Sequence, residues 1–188
     1  MNIKYNFRKM NTLFMSVILG SFLGFITQPI FNLLGVYTGE KAIKYYGEVH
    51  QSKWNSLVHT AGMPFTYYGL LIFVPGLFGL NRKKTLFFQL FFYNYFISYY
   101  ATLNLTVAAI VGALYFPSQA YAMNYYKYSF NRIVTTLYGF MVAFSALTIQ
   151  EVFGHWLGGD PPSRIEAIPN AIWHAGFYSV WHIFNFTL

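Results

Sequence analysis

The chain has 188 residues; 56% are hydrophobic, 22% aromatic and only 9% charged, against about 25% charged in ordinary soluble domains. That composition excludes a soluble globular protein, and the length sets one integral membrane domain over 1–188. There is no cysteine, which excludes disulfides, thiolate ligands and a cysteine nucleophile, and the net charge of +7 is spread over the ends of apolar segments, which fits membrane topology and not a nucleic-acid patch.

The uncharged stretches are 10–39, 54–81, 85–126, 133–150 and 167–188. The first follows Lys4, Arg8 and Lys9 and so resembles a signal peptide, but it is too long for one. It reads as a first membrane segment, bent near Pro29. The third stretch is long enough for two helices with a turn near Asn104, the 104–116 piece being short enough only to dip into the bilayer. The expected fold is therefore an all-α, polytopic membrane helical bundle with about six membrane-embedded segments. The Phe- and Tyr-rich runs, such as 87–93, read as packing and lipid contact.

All acids and histidines fall in two windows. The first, 40–59, holds Glu40, Glu48, His50 and His59; the second, 151–182, holds Glu151, His155, Asp160, Glu166, His174 and His182. The ninety-one residues between His59 and Glu151 contain no Asp, Glu or His. Ionisable groups in so apolar a chain are costly, and they are functional candidates by default. Four crossings between the windows place both on one side. That side then carries Lys41, Lys44, Lys53 and Arg164 with every acid, and the other carries Lys4, Arg8, Lys9, Arg82, Lys83, Lys84, Lys127 and Arg132 with none. Eight basic residues against four put the N-terminus in the cytosol and the windows on the lumenal or outer side.

His50 and His59 are nine apart, about half a turn out of phase on one helix, so a shared ligand needs a break between them. Ser52 is a candidate N-cap for the new helix, on which Asn55 and His59 lie one turn apart, and Pro64 thins its hydrogen-bond ladder. Glu151 and His155 at i and i+4 share a helical face, Gly154 permits close approach, and Gly158–Pro162 is a turn that ends the helix. Three histidines with neighbouring carboxylates suit iron(II), zinc or manganese. Spacing alone leaves open whether some of these histidines are interfacial or satisfied core residues. For His174 and His182 that plainer reading is favoured.

These residues resemble the fungal endoplasmic-reticulum 2-hydroxy fatty acid dioxygenases, a family whose domain was long labelled as of unknown function. Its first motif is matched without a gap by Tyr46, Gly47, His50, Asn55, His59 and Pro64. Its second is matched by Gly154, His155, Pro162, Glu166 and Asn170. The match covers roughly 45–64 and 150–178; the helices between agree only in hydrophobic character. This chain has Gly158-Gly159-Asp160 where the family has Phe-Glu, one residue shorter, so Asp160 stands in for that Glu. His174 aligns with an apolar family position.

The resemblance implies an Fe(II)-dependent dioxygenase of the endoplasmic reticulum membrane. It would take a long-chain 2-hydroxy fatty acid and O2 and leave a fatty acid one carbon shorter, as in the breakdown of sphingoid bases. His50, His59 and His155 would bind the metal, and Asn55, Glu151 and Asp160 would be the catalytic side chains. The substrate's hydroxyl and carboxylate suit chelation, its tail explains the membrane, and Arg164 or Lys53 is placed to pair with its carboxylate. The fourth ligand stays open among Glu151, Asp160, Glu166 and His174. Lipid desaturases and hydroxylases use closer histidine boxes, whereas no two histidines here are nearer than eight residues. A non-catalytic lipid-binding or scaffold protein is the alternative from another class.

Overall fold

A computed structural model describes residues 3–34, 43–44, 46–128, 131–161 and 168–185. Glu40, Lys41, Pro162, Arg164 and Glu166 lie outside the described residues, as does the side chain of Asn170. The described chain is all-helical, with no strand. Six long helices are present: α1 (Ile3–Leu33), α2 (Lys53–Leu77), α3 (Arg82–Leu103), α4 (Leu105–Tyr128), α5 (Arg132–Ile149) and, last in the chain, α7 (Ile168–Phe184). A π-turn, Gln150–Gly154, and the single turn α6, His155–Gly158, continue α5.

Four spans are long and apolar enough to cross a membrane: Asn11–Leu33, Lys53–Leu77, Leu105–Tyr126 and Arg132–Gly158. The chain is thus a multi-pass membrane protein with fewer qualifying spans than the six segments expected from sequence. The two helices that fall short do so for separate reasons. α3 opens on Arg82-Lys83-Lys84 and carries Gln89, Asn94 and four tyrosines, whereas α7 has only 17 residues. The 104–116 piece is not a short dip. It opens the 24-residue α4, which continues through Pro117.

Asn104 makes the hairpin by serving both helices. It terminates α3 with an extended backbone, its N–H donating to Tyr100 O, while its side-chain oxygen accepts from Val107 N at 3.0 Å. α3 and α4 then run antiparallel, with Tyr93 Oη donating to Gly112 O and Gln89 Nε2 to Ala122 O. Gln89 also donates to Leu71 O at 3.1 Å, the carbonyl that Pro75 cannot satisfy because it has no N–H. In an apolar medium such a side-chain donor replaces the missing backbone bond.

α2 is the central helix, packing on α3, α4, α5 and α7. Its interface with α5 is a seam of small residues. Gly62, Gly69 and Gly76 recur every seven residues and face Gln150, Ala143 and Thr136, which recur every seven in the opposite direction. A methyl group at Gly69 would overlap the Ala143 backbone, and one at Gly139 would overlap the Phe73 backbone. Lipid tails give apolar helices no hydrophobic reason to associate, so close backbone approach and interhelical hydrogen bonds hold them. α1 uses the same device on α3, where Gly20 and Gly24, four apart, rest on the carbonyls of Phe91 and Tyr95.

The parallel register of α1 on α3 sets Asn11 level with Arg82, and Arg132 reaches Gly76 O and Leu77 O from the start of α5. Arg82, Lys83, Lys84 and Arg132 therefore gather at one end of the bundle. His50, His59 and His155 lie at the other, beside the exposed Trp54 and Trp156, aromatic residues of the kind that mark a membrane interface. Because the natural chain has no cysteine, Lys83→Cys and Gln51→Cys give single labelling sites, and an impermeant maleimide should reach them from opposite sides of sealed vesicles. Modification of both from the same side would refute this topology. Gly69→Val should break the α2–α5 seam and lower the melting temperature in detergent by roughly 5 °C or more, given about 1–3 kcal/mol for overpacking. Gly159→Ala, where no atom lies within 4 Å of an added methyl, should cost less, through its positive φ alone.

Candidate metal centre

Three chain segments meet at the interface end. His50 is the last residue of a turn that begins at Tyr46, its own N–H donating to Gly47 O. The break expected between His50 and His59 is present. Ser52 is extended (φ −83°, ψ 135°) and its hydroxyl accepts from Trp54 N, so α2 starts afresh with Asn55 and His59 on its buried side. His155 follows the π-turn, a one-residue insertion that shifts the register of α5 against α2. Past the insertion Gly158, not residue 157, meets Asn55. π-turns of this kind recur at functional sites.

The helix then ends in a Schellman turn. Gly159 takes φ +67°, its N–H donates to Trp156 O, and Asp160 N donates to His155 O at 3.1 Å. The turn brings the Asp160 carboxylate to the start of α2, where it accepts from Ser52 N at 3.1 and 3.2 Å and from Asn55 Nδ2 at 2.8 Å. A carboxylate at a helix N-terminus also meets the positive end of the helix dipole. Gly158 and Gly154 make the contact possible. A methyl group at Gly158 would stand 2.9 Å from Asn55 Cβ, and one at Gly154 2.6 Å from Asn55 Oδ1.

These constraints bring His50, His59, Glu151 and His155 together, with one ligand atom of each lying within 4.8 Å of all the others. His50 is the hub, its ring centre 4.7 Å from that of His59 and 4.8 Å from that of His155. Glu151 Oε2 lies 3.4 Å from His155 Nε2. Ligands about 2.1 Å from one ion lie about 3–4 Å apart, so small side-chain adjustments would close the set around a metal.

The hydrogen bonds fix which nitrogens are available. His50 Nδ1 lies 3.0 Å from Tyr46 O, and His155 Nδ1 lies 2.6 Å from Pro161 O. A carbonyl only accepts, so both Nδ1 atoms carry hydrogen and each neutral ring keeps its lone pair on Nε2. That is the arrangement by which metal-binding histidines are oriented from behind. Burial holds His50 neutral, lowering its pKa to about 4. Its ring is further fixed by Tyr46, stacked at 3.9 Å and 9°, and by Tyr178 Oη, which donates to His50 O at 2.8 Å. Gly47 is small because a methyl group there would stand 2.9 Å from that tyrosine oxygen.

Among the described residues, eleven buried side-chain nitrogen or oxygen atoms have no hydrogen-bond partner, and six of them belong to Tyr46, His50, Asn55, His59 and Gln150. They include His50 Nε2 and both nitrogens of His59. Buried polar groups are rarely left unpaired, so their concentration here marks a place built for a ligand. With three imidazoles, one carboxylate and no sulfur, the residues fit a divalent iron, zinc or manganese ion.

The other candidates fall elsewhere. Asp160 is not among the converging atoms; it clamps α2 and orients Asn55. His174 Nε2 meets Tyr99 Oη at 2.7 Å, and His182 Nδ1 meets Ser56 Oγ at 2.8 Å, which ties α7 to the first turn of α2. With Glu166 outside the described residues, Glu151 is the carboxylate that joins the three histidines. Lys53, expected to face a substrate carboxylate, points to the end of α7, its Nζ 3.2 Å from the Asn185 amide oxygen when that amide is turned to satisfy both neighbours. Sequence reasoning missed Gln150, whose Nε2 donates to Thr66 Oγ1 and Ala146 O as it fills the space above Gly62. The seven-residue recurrence of glycine in α2 was the available signal.

Comparison of the chain with protein-family models, with characterised proteins and with solved structures gives no match. The resemblance stated above rests on the two motifs.

Purified protein should contain about one metal ion per chain by elemental analysis. His50→Ala, His59→Ala and His155→Ala should each remove it, whereas His182→Ala should retain it. Asp160→Ala should keep some metal but lose about 1–3 kcal/mol of stability, because it strands the Ser52 N–H and the Asn55 amide. Full metal content in all three histidine variants would eliminate this site.

Proposed function

We propose that the protein is a membrane-embedded Fe(II)-dependent dioxygenase that shortens long-chain 2-hydroxy fatty acids by one carbon, in the endoplasmic reticulum membrane. The observation that carries the reading is the convergence of His50, His59, Glu151 and His155 among unpartnered buried polar atoms at the interface end of an apolar bundle. The gap-free first motif supports the choice of iron and of the 2-hydroxy acid.

An iron ion there would supply Lewis acidity and a place for oxygen to react, held by His50, His59 and His155. The protein supplies the rest. Glu151 has the most open side chain of the cluster, 39% exposed, and lies between the exposed Val152 and the buried Gln150. In this reading Glu151 Oε2 takes the proton of the substrate's 2-hydroxyl. Asn55, held through its nitrogen by Asp160, offers Oδ1 to the same ligand. The substrate tail leaves past Val152 and Phe153 into the bilayer, where burial contributes about 0.8 kcal/mol per methylene. The overall change balances: a 2-hydroxy acid and O2 give the acid one carbon shorter, carbon dioxide and water.

Membranes containing the protein, given iron and oxygen, should convert 2-hydroxypalmitic acid to the fifteen-carbon acid. His50→Ala, His59→Ala and His155→Ala should abolish the conversion, and Glu151→Gln should lower its rate at least about 100-fold, the usual contribution of a positioned base. No shortening of 2-hydroxy acids of several lengths by metal-loaded protein would end this reading.

A further inference from the structure

Beside His50 the centre carries a buried phenol whose hydroxyl the preceding account leaves unused. Tyr46 is 1% exposed, its ring lies face to face with His50 at 3.9 Å, and its hydroxyl has no hydrogen-bond partner. The stacking carries that hydroxyl alongside the imidazole. Two neighbouring phenols are engaged or placed differently. Tyr178 already donates to His50 O, and Tyr115, whose hydroxyl is also unpartnered, has its ring stacked on Tyr67 and its hydroxyl against Gly176 of α7. Among the described residues no Lys or Arg is buried, so the unpaired donor beside His50 is a neutral one.

The two ends of a 2-hydroxy acid are unlike. The tail branches from the hydroxyl carbon and must leave through an opening, whereas the carboxylate carries nothing beyond its oxygens. Glu151, with Val152 and Phe153, is the exposed part of the centre, and Tyr46 is buried within it. An acid placed with its tail outward presents its carboxylate to Tyr46.

We propose that Tyr46 is a positioning residue whose hydroxyl donates a hydrogen bond to the carboxylate of the bound 2-hydroxy acid, so fixing which end of the acid faces inward. The proposal rests on the dioxygenase reading above. A phenol suits the task because it neutralises no charge, so it recognises an oxyanion without holding a permanent cation in an apolar wall.

The test is ligand binding to the cobalt(II)-loaded protein without oxygen, followed by the visible spectrum of the metal. Tyr46→Phe keeps the stacked ring and removes only the hydroxyl. It should retain one metal per chain and the spectrum of the ligand-free protein, yet bind 2-hydroxypalmitic acid about tenfold more weakly, as expected for a hydrogen bond to a charged oxygen. Binding of hexadecane-1,2-diol, which lacks the carboxylate, should be unchanged. Tyr178→Phe, which loosens the His50 backbone instead, should affect acid and diol alike. Equal acid affinity in Tyr46→Phe and wild type, or equal losses for acid and diol, would overturn the proposal. Wild type that takes up no metal overturns both readings. If wild type takes up metal but not the acid, the substrate reading falls alone, and azide becomes the probe: about tenfold weaker azide binding in Tyr46→Phe supports the hydrogen bond to an anionic ligand, and equal binding removes it.

Discussion

Everything at the candidate centre depends on how closely α2 and α5 approach one another. His59 rides on one helix, and Glu151 and His155 ride on the extension of the other. Side chains of ordinary size between the two backbones would hold these groups apart. Gly62, Gly69 and Gly76 remove that material, and the facing Ala143 and Gly139 do the same from α5. The contact is also polar where it matters, since Gln150 crosses above Gly62 to reach Thr66. In a lipid surround, where burying apolar area between helices gains little, packing and these hydrogen bonds hold the pair together. The seam is thus the rigid base on which the side chains are set.

Upon that base the histidines are oriented by the main chain. Carbonyls of Tyr46, in the short helical piece before His50, and of Pro161, past the end of α6, hold two of them by Nδ1. Asp160 then locks the turn after α6 onto the start of α2 through Ser52 and Asn55. The site therefore joins rigid helices to turns that cannot drift, the condition under which ligand atoms keep their places without an ion to gather them.

Much of this was legible in the sequence because it depends on local chemistry. The break before α2 follows from Ser52, the hairpin from Asn104, and the close approach from Gly154. The segregation of acids and histidines, set against the basic residues, placed both windows at one end. The parts that were not legible depend on a partner. The seven-residue spacing of glycines in α2 means little until α5 supplies the complementary spacing. The π-turn leaves no mark in composition, because Gln150–Gly154 reads equally well as α-helix. Asp160 was singled out by its place in the resemblance; that it binds Ser52 and Asn55, more than a hundred positions earlier in the chain, has no local signal. Six membrane-embedded segments were counted from uncharged stretches, a criterion blind to the tyrosines, Gln89 and Asn94 of α3 and to the 17-residue length of α7, so four spans qualify where six helices stand.

The distance in sequence between the two halves of the seam bears on how the protein is made. Residues 60–150 separate His59 from Glu151, and at about 5–20 residues per second their synthesis takes on the order of ten seconds. For that interval α2 exists without α5, its glycine face and buried Asn55, Ser56, His59 and Thr66 lacking the surface they were shaped to meet. α3 and α4 are made in between and pack on other faces of α2, so they leave the glycine face uncovered. The nascent chain thus waits in the membrane, half of its centre already present, for a helix that the ribosome has yet to deliver.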